Sequence, residues 1–184
     1  MEKTSLDRLS EDECAIADDL LFSVRRSIRY HNRRRQFFDR LGRFTDIISA
    51  ISGSGTIVAF LSVNFKDCTV YLAGATAIFS SLNLVWDTKG NSRLHHDLAR
   101  QFIGLEKRLV APDITIDDFR KAESDRLEIE AGEPPVLRVL DIICHNELSR
   151  AMGFDSKEMY QVGLARSLFA HLFDLFPSTI KKGC

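Results

Sequence analysis

Between Asp46 and Asp87 the chain carries charge only at the adjacent pair Lys66 and Asp67, although charged residues make up 28% of its 184 residues. Two uncharged runs result, Ile47 to Phe65 and Cys68 to Trp86, each of about 19 residues. As a helix, a run of that length reaches roughly 28 Å, near the ~30 Å hydrocarbon thickness of a bilayer. A surface helix of a globular domain normally alternates its apolar positions with polar ones, and neither run has a charged face to present to water. Two transmembrane helices in a tight antiparallel hairpin are therefore expected. The competing arrangement, a central hairpin sheathed on every side by the rest of the chain, needs several strongly apolar partner helices, and only the last forty residues resemble one.

The flanks set an orientation. Arg25, Arg26, Arg29, Arg33, Arg34, Arg35, Arg40 and Arg43 precede the first run with one acid, Asp39, among them; Lys89, Arg93, Arg100, Lys107 and Arg108 follow the second. An excess of basic residues stays on the cytoplasmic side, so both termini are expected inside, with Lys66 and Asp67 at the far tip. Phe44 and Trp86 then fall near the inner boundary, Phe65 and Tyr71 near the outer one. The start, MEKTSLDRLSEDECAIADD, lacks the apolar stretch of a signal peptide, so insertion would rely on the internal spans. The expected protein is an all-α, multi-pass component of the inner (cytoplasmic) membrane. Its expected parts are an Arg-rich amphipathic leader (1–44), a two-helix hairpin (45–87) and a cytoplasmic helical region (88–184). The net charge of -1 is a cancellation between these parts.

Outside the hairpin the periodicity is helical. Ala15, Ile16, Leu20, Val24, Ile28 and Phe38 trace a stripe along the leader, and Leu94, Leu98, Phe102, Leu105 and Leu109 recur at spacings of three and four. Thr115 with Asp118 has the spacing of a capping box, opening a short charged helix that Gly132, Pro134 and Pro135 close. A helix is expected from about Pro135 to Ala151 with Gly153 as its stop, and another from about Ser156 to Phe176 ended by Pro177.

Chemistry is hard to find. Cys14, Cys68, Cys144 and Cys184 are scattered and suggest neither a disulfide framework nor a zinc site. His95 and His96, like Cys144 and His145, are neighbours, and successive helical residues diverge by about 100°. No metal, cofactor or catalytic set is nominated, and an enzyme is not expected. The eight arginines are better explained by topology and attraction to anionic headgroups than by nucleic acid.

Polarity within the spans is more telling. Thr69, Ala73, Thr76, Ser80 and Asn83 share one face of the second run, and Thr45, Ser49, Ser52 and Thr56 share one face of the first. Two explanations are open: the small and hydroxylated side chains pack the helices together, or several hairpins assemble with Thr56, Thr69, Thr76, Ser80 and Asn83 around a water-filled pore.

The basic leader RRRQFFDRLGRF, the paired runs around Lys66 and Asp67, RLHHDLARQFIGLEKRL and the closing ICHNELSRAMGFD and ARSLFAHLFDLFPS together resemble the SLATT group of bacterial proteins. That resemblance spans most of the chain and rests on diffuse architecture. It implies an oligomeric, membrane-permeabilising effector of a bacterial defence or conflict system, acting in the lipid bilayer as a homo-oligomer. Its trigger would be a separate sensor protein or a nucleotide second messenger, and it brings no catalytic residues. The alternative is a membrane-anchored helical interaction or adaptor module without a pore.

Overall fold

The computed structural model describes residues 11–55, 59, 62–63, 66–112, 114–155, 157, 159–175 and 177–182. Among them the chain is all-α, 79% helical and without a strand. Six α-helices are defined: α1 (Glu11–Gly53), α2 (Lys66–Trp86), α3 (Thr88–Leu109), α4 (Ile116–Ala131), α5 (Arg138–Ala151) and α6 (Leu164–Phe169). Two compact units divide them, one of residues up to 33 together with 96 onward, the other of residues 34–95.

The expected membrane spans are not found among the described residues. No helix of the described residues is long and apolar enough to cross a membrane, which overturns the multi-pass inner-membrane assignment and the topology built on it. Of the run Ile47 to Phe65, only Ile47 to Gly53 belongs to α1, whose remaining length is dense in charge. The second run is long enough, but α2 opens on Lys66 and Asp67 and interrupts its aliphatic residues with Gly74, Thr76, Ser80, Ser81 and Asn83. Lys66 and Asp67, expected at a turn, are the first two residues of that helix.

In the first unit one apolar cluster joins Leu20 and Val24 of α1 to Phe102, Leu105 and Leu109 of α3 and Ala122 of α4. Burying each Leu or Phe contributes about 1.5–3 kcal/mol. A second cluster gathers Tyr30, Val139, Leu140, Cys144 and Ala170. The capping box forms as its spacing requires: Asp118 N–H donates to the Thr115 hydroxyl at 3.3 Å, and Thr115 N–H donates to the Asp118 carboxylate at 3.0 Å. The Thr115 hydroxyl also donates to that carboxylate at 2.6 Å, and this bond, followed by the one from the Thr115 N–H, holds the Asp118 carboxyl below its ordinary value. The stop after α5 is also as expected, with Gly153 at φ +82°, where a Cβ would be strained.

The long terminal helix expected from Ser156 to Phe176 is instead the short α6, preceded by extended chain in which Tyr160 bridges Lys182. The reason is local competition for the backbone. Tyr160 N–H donates to the Asn146 side-chain oxygen at 2.9 Å and Tyr160 C=O accepts from the Asn146 amide at 2.7 Å, so both groups are spent outside a helical ladder.

In the second unit Phe38 of α1 stacks on His95 of α3 with centroids 5.8 Å apart, and the Ser92 hydroxyl donates to Asp39 at 2.5 Å. The break between α2 and α3 is the single residue Asp87 at φ 39°, a conformation that aspartate tolerates better than most residues. Its carboxylate folds over Gly90, whose N–H donates to it at 3.1 Å; a Cβ at position 90 would lie 2.0 Å from that carboxylate.

Candidate functional site

The second unit carries an unusual surface. In most folds an amphipathic helix turns its apolar stripe inward. Here α2 leaves Val70, Tyr71, Ile78, Leu84 and Val85 exposed, Tyr71 at 76% and Leu84 at 83%, and α1 leaves Ile47 and Ile51 exposed beside Phe44. The residues that do meet across the pair include a polar contact: the Ser52 hydroxyl lies 2.5 Å from that of Thr76 while it donates to the Ile48 carbonyl at 2.9 Å. The Phe44 and Phe79 rings meet edge to face at 5.2 Å. Thr45, fully enclosed, gives its hydroxyl to the Gly42 carbonyl at 2.7 Å, and Ser81 bonds back to Ala77. The hydroxyls of Thr45, Ser52, Thr76 and Ser81 are thus consumed within a helix or across the pair.

The nominated polar residues are therefore dispersed. Thr76 is half-buried against Ser52, whereas Ser80 is exposed. Thr69 and Asn83 lie towards opposite ends of α2, with side chains outside the described part, and Thr56 lies outside the described residues.

The arginines have specific partners in the first unit. Arg25 Nε reaches Glu106 at 2.7 Å, Arg26 Nε lies 3.2 Å from Asp141, and Arg33 grips Glu147 with two nitrogens. Three guanidinium groups of α1 thus bind acids from α3 and α5. Each pair is about one-third exposed and contributes roughly 0.2–1 kcal/mol, so their joint effect is to fix which faces of the helices meet. Arg29 lies close enough for its charge to act on Cys144. In the second unit Arg34 covers the Phe38 ring at 4.6 Å, Arg35 pairs with Asp39 at 3.6 Å, Arg43 donates to the Asp39 carbonyl, and Arg40 is exposed.

A cavity of about 320 Å³ opens among Arg26, Ser27, Tyr30 and His31 of α1, Glu130 of α4, Glu133 to Val136, and Asp141 of α5. His31 at its wall is 1% exposed, stacks on Phe102 and hydrogen-bonds Glu133 at 3.0 Å. Burial lifts the Asp141 carboxyl above its ordinary value against the opposing charges of Arg26 and His145. The same desolvation, with the charge of Arg26, lowers the His145 imidazole. Cys144, buried in the same region, has its thiol pushed up to about 12, an inert core residue. Among the described residues no three His, Cys, Asp or Glu side chains gather as a metal site would require.

Two anchoring residues escaped the sequence reading. Asp174 accepts from the N–H groups of Arg138 at 2.9 Å and Val139 at 3.0 Å, capping α5 from 36 residues away, while the N-cap residue Leu137 has no side chain able to do so. Asn146 clamps Tyr160 from 14 residues away. Neither spacing carries a local signature, so nothing in the sequence marks them. No protein-family model, no curated protein and no solved structure matches the chain.

Proposed function

We propose that the protein is a non-catalytic helical effector module that self-associates through the apolar outer surface of its second unit. The observation that carries this is the row of exposed aliphatic and aromatic side chains on α2 and the end of α1, an apolar patch of a kind that marks an interaction surface. Further copies of the same chain are the occupant that fits best. Between Asp46 and Asp87 only Lys66 and Asp67 are charged, so the surface brings little like-charge repulsion against itself. Around Gly53 and Gly74 a Cβ would meet nothing within 4 Å, which leaves room for a neighbouring helix to approach closely. The contact between Ser52 and Thr76 supports a packing role for the polar face and, with it, an adaptor or scaffold without a pore. The resemblance to the SLATT group supports the bolder form, in which the assembly permeabilises a bilayer when a nucleotide second messenger or a separate sensor protein triggers it.

Sedimentation velocity across a concentration series tests the assembly. The wild-type chain should form a defined oligomer, and Ile78→Glu with Val85→Glu, two exposed positions seven residues apart on α2, should return it to the monomer with its helicity intact. A wild-type monomer at every concentration would sink self-association. Dye release from loaded vesicles then separates the two forms: release by the oligomer supports the effector, intact vesicles the adaptor.

A further inference from the structure

The segment around α6 is amphipathic in the wrong sense. Leu164, Leu168, Phe169, Leu172 and Phe173 are all exposed, Leu164 at 86% and Leu168 at 77%, while the buried position between them is the small Ala170. The helical turn continues past Phe169, since the N–H groups of Leu172 and Phe173 both donate to the Phe169 carbonyl at 2.9 Å. At about 100° per residue these five side chains occupy one half of the helix surface, and Ala170 lies on the other. The larger apolar groups are thus turned away from the core.

Basic residues outnumber acids in the segment that carries this face. Between Met159 and Lys182 the basic residues are Arg166, Lys181 and Lys182, and the sole acid is Asp174. Asp174 accepts from the backbone of Arg138 and Val139, which fixes its carboxylate at a helix start, where it complements the dipole. Arg166 donates to the Thr179 hydroxyl at 2.5 Å, and Gln161 N–H donates to the Lys181 carbonyl at 2.9 Å. Lys182 pairs with Tyr160 through a backbone bridge and lies with its ammonium 5.7 Å from that ring's centroid, and both lysines are exposed.

We propose that residues 164–173 dock on an anionic lipid surface, with α6 lying in the plane of the interface, its leucines and phenylalanines among the upper acyl chains and Arg166, Lys181 and Lys182 against the headgroup phosphates. An exposed half-cylinder of Leu and Phe in a segment that also carries exposed basic side chains is the pattern that binds in this way. The contact is peripheral and uses no membrane-crossing helix. An acidic partner would satisfy the lysines but leave the five apolar groups in water. A purely apolar partner would satisfy those groups and gain nothing from the basic border.

Flotation of the full-length protein with phosphatidylcholine vesicles, with and without phosphatidylglycerol, provides the test. Binding should require phosphatidylglycerol and weaken at high salt. Each basic residue near an anionic surface strengthens partitioning about fivefold, so Lys181→Gln with Lys182→Gln should weaken it by at least tenfold. Leu168→Glu with Phe173→Glu should abolish it while helicity and thermal stability stay unchanged, because both positions are exposed. The α2 variant Ile78→Glu/Val85→Glu should retain binding, which keeps this outcome separate from that of self-association. Equal binding to neutral vesicles, or undiminished binding by the Leu168/Phe173 variant, would overturn the proposal.

Discussion

Asn146 and Tyr160 exchange two hydrogen bonds, the carboxamide of one satisfying both backbone groups of the other at 2.7 and 2.9 Å. A side chain on α5 thereby does what a neighbouring strand would do, and the chain after α5 is held extended long enough to meet Lys182. Asn146→Leu should leave a half-buried N–H and C=O without those partners, at a cost of about 1–3 kcal/mol. Hydrogen exchange should rise first around residues 159–163 and 180–182 and not in α3. Uniform faster exchange throughout the first unit would contradict a local clamp.

Asp174 should behave as a helix cap. Asp174→Ala removes the side chain that accepts from the Arg138 and Val139 N–H groups at the start of α5 and should destabilise the protein by about 0.5–2 kcal/mol in urea unfolding. Asp174→Asn keeps an acceptor and should recover part of the loss. Equal losses for the two variants would assign the effect to charge alone.

His145 should make stability fall on the acid side. Burial and the charge of Arg26 lower its folded pKa below the ordinary 6.5, so its contribution is present above that value and is lost as pH falls through it towards the lowered one. Asp141, raised by burial, has the opposite sign: its contribution is full below the ordinary carboxylate value of 3.8 and is lost as pH rises through the elevated one. His145→Phe keeps an aromatic edge against Phe22 and Tyr160 while removing the titrating group. Unfolding measured from pH 7.5 to about 5 should show a shallower decline for this variant; parallel curves would exclude His145 as the source.

Cys144 should be chemically silent in the folded chain. With Cys14, Cys68 and Cys184 replaced by serine, a thiol-reactive dye at pH 8 should label the protein only after denaturant is added, because a thiol raised to about 12 supplies almost no thiolate. Fast labelling under native conditions would place that side chain outside the core.

Local, periodic features were legible from the sequence alone. The capping box of Thr115 and Asp118, the stop at Gly153, and four positions of the α3 stripe, Leu98, Phe102, Leu105 and Leu109, appear where spacing puts them, since each depends on residues within one or two turns, whereas Leu94 of the same stripe is exposed. The stripe on α1 is buried at Leu20, Val24 and Phe38 and half-buried at Ile28, but Ala15 and Ile16 are exposed while Ala17 is buried, because side-chain volume does not show which neighbour a helix face meets. The all-α class followed from the same periodicity. Apolarity and length suggested membrane spans, and they failed to show that α2 would begin on its charged pair or that α1 would merge its few apolar residues into a long charged helix. Only the tertiary structure decided the partners of the charges. Arg25, Arg26, Arg33 and His31 find their acids 81 to 115 residues away, the values following from Glu106, Asp141, Glu147 and Glu133. The same holds for Asp174 at α5 and for the outward apolar faces of α2 and α6. A hydrogen bond or ion pair acts over a few ångströms and is indifferent to separation along the chain, so no short window of sequence can contain both of its ends.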